Sequence, residues 1–260
     1  MNIQFYKYQG AGNDFIFIDN RSDVFPKEDK EMIIHLCDRH FGIGADGLIL
    51  IENDAKLDFK MVYFNSDSSQ TMCGNGARCA VAFAKELGII TTTTEFMAFD
   101  GPHHAEINED DTVSLGMIDV SEIEVEQDYI FTNTGTLHHV ELVDELQNYP
   151  VYENGQKIRY EKYGQEGSNV NFVEQTAQDS FDIRTYERGV ENETLACGTG
   201  VTAVAIAMHK IGKTNKNKVY IKAKGGDLHV TFNVENGVYT NVVLTGPANL
   251  VFTGNYQISK

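Results

Sequence analysis

The chain has 260 residues, 42% hydrophobic and 23% charged, with a formal net charge of −17 at pH 7. That length buries a core without disulfide or metal staples, and that composition excludes a disordered chain. The negative charge opposes non-specific binding to nucleic acid or to an anionic membrane, so a small anionic ligand needs a locally built positive site. No run approaches the roughly 18 apolar residues of a membrane span. The first fifteen residues carry Lys7, Gln9, Gly10, Asn13 and Asp14 and lack the apolar stretch of a signal peptide. A cytoplasmic location is the default expectation. Four cysteines are too few for a disulfide scaffold of this size, so they are expected to be thiols.

Along the chain, alternation of apolar and polar residues predicts strands over 3–8, 15–19, 48–52, 59–64, 95–99 and 113–117. In the second half it predicts strands over 129–134, 138–143, 169–174, 181–187, 219–223, 228–234, 238–244 and 250–252. Asp100-Gly101-Pro102, Gly225-Gly226-Asp227 and Glu235-Asn236-Gly237 mark turns. Three helices are expected. The first runs from 27 to about 40. The second covers 74–87, with Ala80, Phe83, Ala84 and Leu87 on one face and Gly88 as a stop. The third covers 198–211, stopped by Gly212; its run from Ala203 to Met208 is apolar all round, so protein must surround it.

The chain repeats itself. Cys73-Gly74-Asn75-Gly76-Ala77-Arg78-Cys79-Ala80 resembles Cys197-Gly198-Thr199-Gly200-Val201-Thr202-Ala203-Val204, about half the chain later. Each copy follows a strand and opens a helix. The expected fold class is α+β: two homologous domains, each a curled, mostly antiparallel sheet around one central helix. The junction is expected near 117–127, rich in Asp, Ser and Glu. That gives domains over 1–118 and 119–246, with the final strand, about 247–260, a candidate to complete the first.

Cys73 and Cys197 each stand just before a Gly-x-Gly that begins a helix. Unpartnered N–H groups and the positive dipole end collect there, which favours thiolate. The glycines let a carboxylate approach the amides. Two such sites, one per domain, can face each other across a cleft. That suits inversion at an α-carbon, where one thiolate takes the proton and the other thiol returns one. The developing charge then needs electrostatic stabilisation in a dry site. Cys37 and Cys79 have no such context and are expected to be apolar filler. Zinc fits poorly, because no Cys-x-x-Cys is present. Gly42-Ile43-Gly44-Ala45-Asp46-Gly47 matches a dinucleotide fingerprint but follows a helix and precedes a strand, the wrong order. It is expected to be a tight loop. Arg188 can clamp a carboxylate, and Glu187 can assist a cysteine or bind an ammonium. His138 and His139 are adjacent on a predicted strand, so only one is expected to face inward. Asn13, Asn65 and Asn169 each start or end a strand.

Together these motifs resemble the diaminopimelate epimerase family along nearly the whole chain. The carrying segments are Gly10-Ala11-Gly12-Asn13-Asp14-Phe15, Arg39-His40-Phe41-Gly42-Ile43-Gly44-Ala45-Asp46-Gly47 and Phe64-Asn65-Ser66-Asp67. Met72-Cys73-Gly74-Asn75-Gly76-Ala77-Arg78-Cys79, Asn169-Val170-Asn171-Phe172, Tyr186-Glu187-Arg188-Gly189 and Ala196-Cys197-Gly198-Thr199-Gly200 complete the set. The resemblance implies conversion of LL-diaminopimelate to the meso form without a cofactor, with Cys73 and Cys197 as the two catalytic bases. It implies that amides of Gly74, Asn75, Gly198 and Thr199 hold the reacting carboxylate. Asn13, Asn65, Asn169 and Arg188 would grip the distal amino acid group, with Glu187 and His138 near the reacting amino group. It also implies a homodimer, with no nucleic-acid or membrane partner and no metal. The family commonly has Asn or Ser followed by Pro where this chain has Thr136 and Leu137, and Gly where it has Ser68. Two other readings compete. One is a racemase of another amino acid, such as histidine or lanthionine, against which Arg188 and the three asparagines argue. The other is a thiol redox or binding protein, weakened by the lack of Cys-x-x-Cys.

Overall fold

A computed structural model gives the fold and describes residues 2–257. The chain divides into two compact units, Met1–Leu115 with Pro247–Lys260, and Gly116–Gly246. The first contains β1 (Asn2–Gly10), β2 (Asn13–Asp19), α1 (Lys30–Cys37), β3 (Gly47–Glu52), β4 (Phe59–Asn65), α2 (Gly74–Glu86), β5 (Thr93–Ala98), β6 (Gly101–Ile107) and β7 (Val113–Gly116). The second contains β8 (Ile123–Val125), β9 (Ile130–Asn133), β10 (Leu137–Leu142), α3 (Val151–Lys157), β11 (Asn169–Ala177), β12 (Ser180–Glu187), β13 (Asn192–Thr194), α4 (Gly198–Lys210), β14 (Lys218–Ala223), β15 (Gly226–Glu235) and β16 (Val238–Gly246). The last strand, β17 (Asn249–Gln257), pairs antiparallel with β1. Among the described residues no helix is long and apolar enough to cross a membrane.

The repeat read from the two cysteine motifs extends to strand pairing. In the first unit β1–β2 is antiparallel, β2–β3 parallel and β3–β4 antiparallel. Then β4–β5 is parallel, and β5–β6 and β6–β7 are antiparallel. The second unit repeats this order through β9–β10, β10–β11, β11–β12, β12–β14, β14–β15 and β15–β16. Parallel neighbours need a crossover, and α1 and α3 lie in the equivalent ones. Both units are α+β, with a mostly antiparallel sheet around one helix, as the sequence predicts.

Each central helix is enclosed by its own sheet. Ala203 to Met208 of α4 are all fully buried, against strands from β9 to β16. In the first unit Phe83 of α2 meets Tyr6, Phe17 and Tyr8 at ring-centroid distances of 4.7, 5.3 and 5.8 Å. Such aromatic clusters add to the burial of apolar area. This cluster helps to fix the axial position of α2, and so the position of its first turn.

Several elements differ from the sequence reading. The first helix covers Lys30–Cys37 rather than 27–40. Asp29 caps its start by accepting from the Met32 N–H, and the Asp38 carboxylate takes the His40 and Phe41 N–H groups, which ends it. α3 is unpredicted because Gly155 interrupts its pattern. A Cβ there would lie 2.4 Å from Tyr186 Cβ, so the glycine lets the helix press onto β12. β6 is unpredicted because Pro102 argues against a strand; Gly101, with φ 129°, makes the turn and Pro102 pairs with Met97. β8 and β13 have three residues each, too short for a pattern.

The Gly42–Gly47 segment is a tight loop, held by Ile43 and Gly44 N–H donation to the Leu36 carbonyl. A Cβ on Gly42 would sit 1.9 Å from the His35 carbonyl oxygen. Gly42→Ala is therefore expected to destabilise the protein by about 3 kcal/mol. Urea unfolding measures this, and an unchanged midpoint would contradict the backbone contact.

Candidate active site

Cys73 and Cys197 occupy the N-cap positions of α2 and α4, both in extended backbone. An N-cap is normally Ser, Thr, Asp or Asn. The first intrahelical bonds are Ala77 N–H to the Cys73 carbonyl and Val201 N–H to the Cys197 carbonyl, at 2.8 and 2.9 Å. Both sulfurs belong to half-buried thiols. Cys37 and Cys79 are buried, and burial pushes each of those thiols up to about 12. They are inert filler, as expected.

In the first unit the α2 start is tied to Asn13. Asn75 Nδ2 donates to Asn13 Oδ1 at 2.6 Å, and Asn13 Nδ2 donates to Asp46 Oδ2 at 3.0 Å. Asp46 also takes the Asp14 N–H and one Arg39 contact at 2.7 Å. Arg39 forks onto Asp14 at 2.6 and 3.0 Å, and Lys7 completes the cluster at 2.8 Å from Asp14. Burial opposes charge on Asp14, but Arg39 and Lys7 outweigh it and hold the carboxyl near 2. Asn13 is thus backed by a fixed ionic network. Asp14, Arg39 and Asp46 stand inside the quoted motifs and Lys7 lies outside them, and motif and alternation assign none of the four a role. Asn65 ends β4, but its amide donates into its own loop, to Ser69 and Thr71. Ser68 in that loop has φ 68°, a left-handed conformation that glycine adopts without cost.

Arg78, one turn into α2, is fully buried. It reaches back to the helix start, with Nη2 2.7 Å from Asn75 Oδ1, and its Nε has no hydrogen-bond partner among the described residues. Burial opposes its charge, and only negative charge on the Cys79 or Cys73 sulfur favours it. An Arg so close to the first turn adds positive potential where an anion would bind.

In the second unit the register of three strands builds the site. His138 on β10 pairs with Asn169 on β11, and Asn171 pairs with Thr185 on β12. Side chains two apart on a strand share a face. His138 Nε2 lies 2.9 Å from both Thr136 Oγ1 and Thr199 Oγ1, and Thr199 Oγ1 lies 3.4 Å from Cys197 Sγ. Asn169 accepts the Arg188 N–H and donates to Thr136. The Arg188 guanidinium donates to the Glu166 carbonyl at 2.9 Å. Glu187 accepts from the Thr194 hydroxyl. His138, Asn169, Arg188, Thr199 and Cys197 are brought together through Thr136, which the sequence reading treated only as a departure. Asn171 was missed, although its spacing from Asn169 put it on the same face.

One expectation fails. Both His138 and His139 are buried, because β10 is covered on its two faces. The His139 ring stacks on Tyr129 at 4.6 Å, and Nδ1 meets the Tyr163 hydroxyl at 2.8 Å.

Burial, with the nearby Arg188 charge, pushes His138 down to about 3. The folded ring stays neutral while the unfolded one titrates at its ordinary 6.5. The unfolded state therefore binds the extra proton, and this stability is present above 6.5 and lost as pH falls toward 3. From pH 7 to 5 the protein is expected to lose about 2 kcal/mol more than His138→Gln does. Urea unfolding at both pH values tests it, and equal losses would contradict a buried neutral ring.

The family model described as diaminopimelate epimerase matches residues 5–121 and 130–251. The diaminopimelate epimerase of Flavobacterium psychrophilum is 60% identical over 252 residues, covering 96% of this chain and 98% of that one. That of Chlorobaculum tepidum is 42% identical over 262 residues, covering 96% and 99%. Among solved structures, a phenazine biosynthesis protein of the PhzF family from Bacillus anthracis has a TM-score of 0.77 at 13% identity, covering 99% and 100%. A hydroxyproline epimerase from Agrobacterium vitis has a TM-score of 0.69 at 14% identity, covering 98% and 92%. At those identities the solved structures speak to the fold alone.

Proposed function

Since the chain belongs to the diaminopimelate epimerase family, we propose that it converts LL-diaminopimelate to the meso form using two cysteine thiols and no pyridoxal phosphate. The observation that carries the two-thiol reading is the repeated helix start, with a half-buried cysteine at the N-cap of both α2 and α4. In this reading one thiolate removes the α-proton and leaves the bonding electron pair on the substrate. The other thiol delivers a proton to the opposite face. The roles exchange for the reverse reaction. The chemistry requires both sulfurs to reach one α-carbon.

The remaining residues take the roles that membership of the family implies. First-turn amides lack intrahelical partners. Those of Gly74, Asn75, Gly198 and Thr199 bind the reacting carboxylate and stabilise the charge that develops on it. Asn13, Asn65, Asn169 and Arg188 hold the distal amino acid group. Glu187 and neutral His138 lie toward the reacting amino group, where a carboxylate can bind an ammonium and a neutral imidazole adds no repelling charge. A homodimer and a cytoplasmic location belong to the same reading and rest on family membership.

The test is turnover of LL-diaminopimelate by purified, reduced protein with a carbonyl scavenger present to trap any pyridoxal phosphate. Chiral chromatography reads the product. The meso isomer is expected, with no racemisation of lysine, which lacks the second carboxylate. Activity lost to the scavenger, or equal turnover of lysine, would overturn the reading.

A further inference from the structure

We propose that Asn171 is a positioning residue for the proton chemistry at Cys197: it holds the His138 ring proton on Nε2 and, through Thr199, turns a hydroxyl proton onto the Cys197 sulfur. The proposal deepens the reading of Cys197 as an acid/base group and rests on it.

The sense of the amide and ring hydrogen bonds follows from groups that can act in only one sense, and the hydroxyls rotate to suit them. Asn171 is fully buried. Its Nδ2 lies 2.8 Å from the His139 carbonyl oxygen, which only accepts. Its Oδ1 takes the Thr185 hydroxyl at 3.0 Å. The amide orientation is thereby fixed, and the second Nδ2 proton points at His138 Nδ1, 3.1 Å away. A ring nitrogen that accepts a hydrogen bond carries no proton, so a neutral His138 carries its proton on Nε2. Burial and the Arg188 charge keep the ring neutral.

The Nε2 proton faces the Thr136 and Thr199 hydroxyls. Thr136 is oriented by Asn169, whose own amide is fixed because the Arg188 N–H donates to its Oδ1. Thr136 in turn lies 3.1 Å from Thr199 Oγ1. Because Thr136 Oγ1 takes the Asn169 Nδ2 proton, its own hydroxyl is free to turn to Thr199; in the proposal Thr199 then accepts from Thr136 and from His138, which leaves its hydroxyl proton for the Cys197 sulfur at 3.4 Å. A donor on sulfur favours thiolate over thiol. Were the His138 proton on Nδ1, it would confront the Asn171 Nδ2–H in a fully buried site. Nε2 would then accept from Thr199 and draw that proton off the sulfur. Gly200 supports the same arrangement. A Cβ there would lie 2.5 Å from Asn171 Oδ1, so the glycine admits Asn171 beneath the first turn of α4.

The first measurement needs no substrate: long-range ¹H–¹⁵N correlation of the histidine rings between pH 6 and 8, with His138 assigned by loss of its signals in His138→Gln. An unprotonated Nδ1 and a protonated Nε2 are expected; the reverse, or an averaged tautomer, overturns the proposal. The second uses Asn171→Asp, which keeps the shape and removes the donor. Peptide-resolved alkylation by iodoacetamide against pH is expected to show the Cys197 midpoint raised by at least one pH unit and the Cys73 midpoint unmoved. The kcat/KM profile should shift with it. A folded variant with an unshifted Cys197 midpoint assigns Asn171 a packing role only and overturns the proposal. Should Asn171→Asp unfold, Asn171→Ser gives the same readout. Loss of epimerase activity by the parent chain would strike the functional reading and leave the tautomer result standing.

Discussion

Cys73→Ala and Cys197→Ala are each expected to lower kcat/KM for epimerisation by about 1,000-fold or more with the fold intact. The α-proton of an amino acid is far less acidic than a thiol, so the rate depends on a base placed against it and on an acid that completes the inversion. Alanine removes one partner outright. Both cysteines are half-buried at helix starts, so neither substitution opens a cavity in the core. Serine is no remedy, since its hydroxyl holds its proton far more tightly than a thiol. Cys37→Ala provides the comparison. Its thiol is buried and pushed up to about 12, and activity should persist. Near-full activity in either Cys73→Ala or Cys197→Ala, measured as meso product from the LL isomer, would remove that cysteine from the mechanism.

Arg188→Ala is expected to raise KM by roughly 10- to 100-fold while kcat holds, as expected for a charged hydrogen bond made equally in ground and transition states. In the proposed reading Arg188 grips the end of the substrate that does not react. The loop itself keeps support without the side chain, because the Arg188 N–H, not the guanidinium, donates to Asn169. Removing the charge also relaxes one of the two influences that hold His138 neutral. Burial is the larger of them, so the ring is expected to remain uncharged near pH 7 and kcat to survive. Steady-state kinetics decides the matter. A loss confined to kcat at unchanged KM would place Arg188 at the reacting centre instead.

The two helix starts were legible in the sequence because the repeated Cys-Gly-x-Gly carries its own context: a strand before, an apolar helix after. The buried α4 was legible from an apolar run with no polar face. What supports those helix starts was not legible, for two physical reasons. Strand registers bring together residues distant in sequence, such as His138, Asn171 and Thr185, and alternation within a strand does not reveal its neighbour. Lys7, Asp14, Arg39 and Asp46 come from separate stretches of chain, and only the fold joins them into one network behind Asn13. The error at His139 has the same origin. The rule that one strand face is solvated fails where both faces are covered. The Gly155 and Pro102 elements escaped because each contains a residue that weakens its type, tolerated here by a close helix–strand approach and by a turn ending at Gly101.

In the proposed mechanism two separate groups handle the two protons. The most direct test is proton NMR and mass analysis of LL-diaminopimelate turning over in D2O, stopped well before equilibrium. If one thiol removes the α-proton and another supplies its replacement, the meso product carries deuterium at one α-position from the first turnovers, while recovered LL substrate retains its protium. A single base that removes and returns the proton would place deuterium in recovered substrate as fast as in product, or carry protium into the product, and would contradict the two-cysteine account.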